Sequence, residues 1–247
     1  MKGHDPLALV RDVIEAHGGM ALWHSLEALE AEISAWGLLF TMKRQPVLNH
    51  VRVCASTSKP RFTFLDFPRP GQTAEFMGDE EVRIVDSSGK IIAKRSQPRS
   101  ALKGLRRQLY WDSLDFIYFA AYATWNYLLT PFIFLREGFT FEAGAPLPGI
   151  PDSWAGLRVT FPDDIPTHSR EQDFYFDEDL YLRRLDYTAE VIGGWAHAAH
   201  LCENYRNFSG LRIAARRRVR PLLIGSNPLP APTLVALEIH DIRLING

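Results

Sequence analysis

The chain has 247 residues, a formal net charge of −1 and 46% hydrophobic residues. A charge so evenly balanced provides no general attraction for nucleic acid, and we expect no nucleic-acid partner. A globule of this length buries a sizeable core without the help of disulfides or metals.

The cysteines and the N-terminal segment bear on the compartment. Cys54 and Cys202 are the only cysteines, and they are far apart in strand-like surroundings. A disulfide between them is an open alternative, but two buried free thiols fit these surroundings better and indicate a reducing compartment. The segment 1–6 contains no apolar run of the kind a secretory signal requires. We therefore expect a cytoplasmic protein.

The first part of the chain predicts a helix followed by a meander of strands. Asp5 and Pro6 suit the N-cap and the first turn of a helix, and Gly18 with Gly19 ends it. Alternating apolar residues then predict strands at 33–40, 47–55, 61–67, 73–77, 82–85 and 90–94.

The segment 110–141 is the most aromatic of the chain and predicts one long apolar helix. Asp112 or Ser113 provides the N-cap. Pro131 ends the helix because it biases Thr130 away from helical backbone angles. A helix that is apolar nearly all round must be enclosed by protein or by lipid.

The same segment leaves membrane association open as an alternative. A bilayer span needs about 20 predominantly apolar residues, whereas Asn126 and Pro131 interrupt this segment and strand-like sequence flanks it. Transient contact with a membrane surface fits the sequence better than an integral span.

The second half of the chain predicts the remaining strands and with them the fold class. These strands lie at 157–161, 167–176, 182–191, 197–208, 213–224 and 235–245. Short turns between them require antiparallel neighbours. We therefore predict one α+β domain over residues 1–247, in which a curved antiparallel β-sheet, a half-barrel, wraps around the central aromatic-rich helix and an N-terminal helix precedes it.

The order of elements resembles that of the LolA-like superfamily of bacterial lipoprotein carriers. The resemblance is carried by this order, by the run AHGG at 16–19 and by Trp23 just after it. The chain also resembles uncharacterised bacterial proteins with stretches such as WNY at 125–127, TPF at 130–132 and RLDY at 184–187. The resemblance to the carriers implies a half-barrel that cups helices over an apolar cavity for acyl chains. The chain would then belong to a cytoplasmic bacterial branch of the superfamily.

Residues that would contact a ligand come from the helix and from one neighbouring strand. Alanines beside the large rings of the helix leave room for a guest, and tyrosine and tryptophan offer polar tips to orient it. The expected ligand-binding residues are Trp111, Phe116, Phe119, Tyr122, Trp125, Tyr127, Gln172 and Phe174. No phosphate loop or dinucleotide fingerprint is present, and no cofactor is expected.

Three polar residues on successive predicted strands suggest an alternative chemistry. His168, Tyr187 and His197 would converge on one pocket if the strands are neighbours. An imidazole beside a phenol can perform general acid–base catalysis. The competing interpretation is that these are hydrogen-bonded histidines of the core or of an interface.

Two further patterns in the sequence bear on the binding of ions and lipids. His197, His200 and Glu203 would share a metal face on a helix, but on a strand residues three apart point to opposite sides, so we predict no metal site. The basic run 216–220 is typical of an edge strand that its charges protect from aggregation. Attraction of this run to lipid phosphates is the alternative.

The function predicted from these patterns is the binding, carrying or sensing of a hydrophobic small molecule or acyl chain between sheet and helix. The alternatives are an enzyme that acts on a hydrophobic substrate and a protein-interaction module with an apolar face. The sequence leaves the oligomeric state open.

Overall fold

The computed structural model describes residues 5–223 and 227–247. Residues 1–4, part of the segment used to predict the compartment, lie outside the described residues. The same holds for Ile224, the last residue of the predicted strand 213–224.

Every strand in the described ranges joins one antiparallel sheet. The strands are β1 (Leu26–Trp36), β2 (Leu48–Ser56), β3 (Arg61–Leu65), β4 (Gln72–Met77), β5 (Glu81–Asp86), β6 (Ile91–Ser96), β7 (Thr140–Ala143), β8 (Ala155–Thr160), β9 (Glu171–Phe176), β10 (Leu182–Thr188), β11 (His197–Phe208), β12 (Leu211–Pro221) and β13 (Val235–Asn246). Their order is β6-β5-β4-β3-β2-β1-β13-β12-β11-β10-β9-β8-β7. The sheet does not close on itself, because β6 and β7 are both edges. The predicted half-barrel is confirmed.

The helices of the described ranges are mostly short. They are α1 (Pro6–Ala16), α2 (Met20–His24), α3 (Leu38–Met42), α4 (Pro98–Ala101), α5 (Leu105–Leu109), α6 (Ser113–Leu129) and the 3₁₀ helix η1 (Phe132–Leu135). In α1 the Asp5 side chain accepts a bond from the Leu7 N–H, as the sequence predicts. The apolar stripe of α1 is buried in the core.

Helix α6 is the centre of the molecule. Every residue from Leu114 to Leu129 is buried. One side of the helix packs on β3, β4, β5 and β6. Trp125 Nε1 also donates to the carbonyl of Ser56, the last residue of β2, at 2.9 Å. Its other side meets β10–β12 through Tyr127. Strands on both sides therefore enclose the apolar surface of α6, as its composition requires.

Both ends of α6 lie where the local signals predict them. Asp112 is the N-cap and forms a reciprocal capping box with Asp115, and the helix ends before Thr130 and Pro131. Arg95 and Arg107 both form ion pairs with the two aspartates. Burial by itself raises the pKa of Asp112, but the bonds from Arg95 and from the Asp115 N–H outweigh it and lower the pKa to about 2.

Two substitutions at Asp112 distinguish the contribution of its negative charge to stability from the contribution of its capping oxygen. A carboxylate with a lowered pKa contributes its stabilisation in full at pH 7. D112N retains a capping oxygen and removes the charge. We expect D112N to cost about 1 kcal/mol of unfolding free energy, after allowance for solvent screening of a side chain that is 36% exposed.

D112A is expected to cost about 1 kcal/mol more than D112N, because alanine also removes the cap bond. Urea unfolding at pH 7 measures both variants. Equal losses for D112N and D112A would show that the capping oxygen contributes nothing.

β1 ends earlier, and β9 starts later, than the sequence pattern indicates. β1 ends at Trp36 because Gly37 adopts φ +145 where the chain passes close to β13, and a Cβ there would lie 2.3 Å from the Leu234 carbonyl oxygen. The chain then turns into α3 instead of continuing as strand to residue 40. The predicted strand 167–176 starts only at Glu171, so His168 lies in the preceding loop.

In the described part of the chain, no helix combines the length with the sustained apolar character that crossing a bilayer demands.

Candidate functional site

The interior between α6 and strands β10–β12 contains a cluster of buried polar side chains. We call it the interior polar cluster. Its members are Tyr122, Tyr127, His168, Tyr187, His200, Cys202 and Arg217, and all seven are buried. The rest of the interior around it is apolar and aromatic.

His168 connects the loop before β9 to α6. Tyr122 Oη lies 3.0 Å from its Nδ1, and Tyr127 Oη lies 2.8 Å from its Nε2. Its ring also stacks on Tyr187 with centroids 4.2 Å apart. A neutral imidazole has one donor and one acceptor nitrogen, so one tyrosine hydroxyl donates to the ring and the other accepts from it.

These groups are neutral at pH 7. Burial, assisted by the charge of Arg99, lowers the pKa of His168 to about 3. Burial also raises the pKa of Tyr127 to about 12 and that of Tyr187 well above its ordinary value. A general base needs a pKa near the working pH and a free nitrogen. His168 has neither.

His197 does not join His168 and Tyr187. In the register of β10 and β11, His197 pairs with Thr188, while Tyr187 pairs with Ala198. Successive residues of a strand face opposite sides, so His197 lies on the other face, where it is exposed and contacts the Thr188 hydroxyl at 2.9 Å. The predicted convergence of three residues is therefore wrong for His197. The acid–base hypothesis requires all three side chains in one pocket, and the structure does not place them together.

The eight residues predicted to bind a ligand are all buried, and they fill the interior by packing against other side chains. Contacts of this kind are Trp111 with Phe119 (centroids 4.9 Å), Phe116 with Phe40 (5.1 Å), Phe174 with Phe134 (5.2 Å), and Gln172 Nε2 donating to Thr167 Oγ1 (2.6 Å). Their contact with a ligand stays a prediction.

His200 is a member of the cluster that the sequence analysis did not select as a functional residue. It is fully buried, and neither of its ring nitrogens has a hydrogen-bond partner among the described residues. Its ring meets Tyr127 edge-on, with centroids 4.4 Å apart. Burial, and then the charge of Arg217, lower the pKa of His200 well below its ordinary value, so the ring is neutral.

Arg217 is a cation that lies buried in the interior. It is 2% exposed, and its bonds run from Nη2 to the Tyr127 carbonyl at 2.8 Å and from Nη1 to Cys202 Sγ at 3.2 Å. Its Nε has no partner in the described ranges, and no carboxylate there forms an ion pair with it. An arginine stays charged in proteins, and an uncompensated buried charge costs several kcal/mol.

The basic run 216–220 is not an edge strand, which corrects the prediction. β12 lies between β11 and β13. Arg216 and Arg218 face outward and pair with Glu238 and Glu203, whereas Arg217 shares its face with the buried Val219. Period-two alternation, applied inside the charged run, would have identified Arg217 as inward-facing.

The segment His197–Glu203 is a strand, as predicted, and it separates His197 from His200. Within residues 5–223 and 227–247, no group of three histidine, cysteine or acidic side chains could hold a metal ion.

The loop 162–170 connects β8 to β9 and is hydrogen-bonded to two other elements; we call it the mouth loop. Arg99, in α4 after edge strand β6, donates to the Thr167 carbonyl at 2.8 Å and to Glu190 at 3.3 Å. Asn126 of α6 donates to the Pro166 carbonyl at 2.8 Å. The mouth loop is thus attached to the other end of the sheet and to the central helix.

Two adjacent depressions follow the seam between the mouth loop and the β4–β5 turn. Their volumes are about 180 and 450 Å³, and Asp79 and Asp163 line both. The Tyr118 hydroxyl donates to Asp79 at 2.6 Å below this seam. The seam is therefore a place where the surface and α6 come close together.

The fold of the chain is similar to those of two solved structures. The chain is similar to a LolA superfamily protein from Nitrosomonas europaea, with a TM-score of 0.55 and 13% identity over 99% of this chain and 95% of that one. It is also similar to a DUF1329 family protein from Desulfovibrio piger, with a TM-score of 0.52 and 12% identity over 98% of this chain and 94% of that one. The chain therefore has a LolA-like fold.

No family model and no curated protein matches the sequence.

Proposed function

We propose that this protein binds and carries, or senses, a hydrophobic small molecule or acyl chain between α6 and the concave face of the sheet. The observation that carries the proposal is an aromatic interior inside an open sheet, next to a loop that only hydrogen bonds and side-chain packing attach to α4 and α6. We further propose that residues 1–247 act as one domain, since β1 and β13 from the two ends of the chain pair with each other.

The proposed route to the interior passes through the seam. Edge strands β6 and β7 are not hydrogen-bonded to one another. Moving them apart therefore costs less free energy than separating two hydrogen-bonded strands would. The bonds of Arg99 and Asn126 hold the mouth loop closed. Release of the loop moves His168 away from Tyr122 and Tyr127 and makes room beside α6.

Burial of the ligand provides the affinity. An acyl chain that buries about 300 Å² of apolar surface gains roughly 7 kcal/mol at 25 cal/mol per Å² before the costs of association. Those costs include displacement of the mouth loop.

We also propose that the ligand is exchanged by transient contact with a membrane surface on the cytoplasmic side. Exposed apolar side chains at and beside α3 support such a contact, namely Trp36, Leu38 and Met42.

A neutral fluorescent probe tests the proposed function. N-phenyl-1-naphthylamine becomes bright in apolar surroundings and carries no acidic group. We expect saturable binding of one probe per chain, and we expect native mass spectrometry of the gently purified protein to show a retained hydrophobic molecule. Fluorescence that rises linearly without saturation, together with a ligand-free mass spectrum, would contradict the proposal.

The role of the mouth loop is tested by R99M. Loss of the bonds from Arg99 to Thr167 and Glu190 lowers the free energy that favours the closed mouth loop by about 1.5 kcal/mol. The rate of probe uptake in stopped-flow mixing is therefore expected to rise about tenfold. R52M is the matched control, because Arg52 forms an ion pair with Asp66 on the exposed surface. An uptake rate that is the same in R99M, R52M and the unaltered protein would exclude this route.

A further inference from the structure

We infer that Arg217 and His200 form a head-group site for a carboxylate, so that the carried molecule is an apolar carboxylic acid. This inference rests on the proposed function, because it places the head of the same hydrophobic ligand beside α6. It adds the chemical class of that ligand and the residues that recognise it.

The two side chains lie on the same face of neighbouring strands. Cys202 of β11 pairs directly with Arg217 of β12, and His200 pairs with Val219. His200 and Arg217 are therefore diagonal neighbours, a separation that long side chains bridge. Both reach Tyr127 of α6, whose ring centroid lies 4.4 Å from that of His200 and 5.4 Å from the Arg217 guanidinium carbon.

Within the described part of the chain, Arg217 and His200 each have a hydrogen-bond donor without an acceptor, and a carboxylate could supply both acceptors. Arg217 Nε–H has no acceptor, and the neutral imidazole of His200 carries one N–H that also has none. A carboxylate has two oxygens and accepts from both donors. Its charge compensates the guanidinium, which has no other counterion among the described residues.

The charge balance favours a carboxylate over a phosphate. One buried cation neutralises one negative charge, whereas a phosphate dianion would leave one charge buried and unpaired. The thiol of Cys202 supplies no competing anion, because burial raises its pKa. The surrounding side chains Leu185, Ala198 and Val219 are apolar and buried, so the tail of the ligand continues into an apolar environment.

Competition against the neutral probe tests the inference at pH 7.5. Bound N-phenyl-1-naphthylamine is displaced with tetradecanoic acid, tetradecanol or tetradecyl phosphate, which share a tail and differ in the head. We expect the acid to displace the probe at a concentration at least tenfold below that of the alcohol and below that of the alkyl phosphate. This comparison uses the unaltered protein and needs no variant.

Variants then assign the preference to the two residues. R217M and H200L are expected to lose the tenfold preference for the acid, measured in each variant as the ratio of the acid and alcohol concentrations that displace the probe. The thermal midpoint of H200L is expected to stay the same or to rise, because leucine replaces a buried polar ring whose nitrogens have no hydrogen-bond partner among the described residues. R218M is the matched control, because Arg218 pairs with Glu203 on the other face, and it is expected to keep the preference.

The outcomes separate this inference from the proposed function. Equal displacement by acid and alcohol, or stronger displacement by the alkyl phosphate, overturns the carboxylate site and leaves hydrophobic binding intact. A preference that persists in R217M and H200L overturns the assignment to these residues. A chain that binds no probe at all overturns the proposed function, and this inference with it.

Discussion

Replacing Trp125 by alanine is expected to lower the free energy of unfolding by about 3–5 kcal/mol, the range for truncation of a large buried aromatic side chain. Trp125 is 0% exposed, and its Nε1 donates to the Ser56 carbonyl at 2.9 Å. Alanine leaves a void beside the central helix and removes the donor that this carbonyl uses. Urea unfolding followed by circular dichroism at pH 7 measures the loss.

W195A is the matched control for this truncation. Trp195 is 72% exposed, so its loss is expected to change the unfolding free energy by less than about 0.5 kcal/mol. Similar losses for W125A and W195A would contradict the enclosure of α6 by the sheet.

Acidification from pH 6.5 to pH 4 is expected to destabilise the protein by about 3 kcal/mol for each of the buried histidines His168 and His17, and His200 adds to this loss. Burial lowers the pKa of His168 to about 3 and that of His17 to about 4. In this window the unfolded chain binds protons that the folded protein excludes, so stability falls as the pH falls. A domain of ordinary stability would unfold between about pH 4 and pH 5.5.

The slope of stability against pH identifies the residue responsible. H168Q is expected to lower that slope by about 1.4 kcal/mol per pH unit, whatever its effect on stability at pH 7. H197Q is the matched control, because it replaces a histidine that is exposed in the folded protein. Urea midpoints measured at half-unit steps of pH determine both slopes. An unchanged slope in H168Q would show that His168 is not kept neutral by burial.

The boundaries of α6 could be predicted because their signals are local. Asp112 and Asp115 form the capping box within one turn, and Pro131 restricts the residue before it. The enclosure of the helix follows from composition alone, since an apolar helix requires a cover on all sides. These features need no knowledge of the partner elements.

The ends of β1 and β9 depend on distant contacts and were not predictable. Gly37 is required because the backbone near Leu234 approaches it, and those two residues are almost 200 positions apart. His168 continues an alternating pattern in the sequence, but the bonds of Arg99 to Thr167 and of Asn126 to Pro166 draw the mouth loop away from the sheet.

The interior polar cluster was found only in part from the sequence. Tyr122, Tyr127, His168 and Tyr187 were selected because aromatic and imidazole groups suggested ligand contacts or acid–base chemistry. Arg217 was not predicted, because the sequence analysis assigned every arginine of the run 216–220 to the solvent-exposed surface. Successive side chains of a strand face opposite sides, so Arg217 faces the interior between Arg216 and Arg218. The missing partners of His200 have no sequence signal, because they depend on every element that packs around it.

Photolabelling with a diazirine-bearing tetradecanoic acid tests the central claim most directly. If the ligand lies between the central helix and the concave face of the sheet, the label will be recovered on peptides from α6 and β10–β12, and unlabelled acid will suppress it. Label confined to exposed segments such as α3, or label that excess acid does not suppress, would contradict binding in the interior.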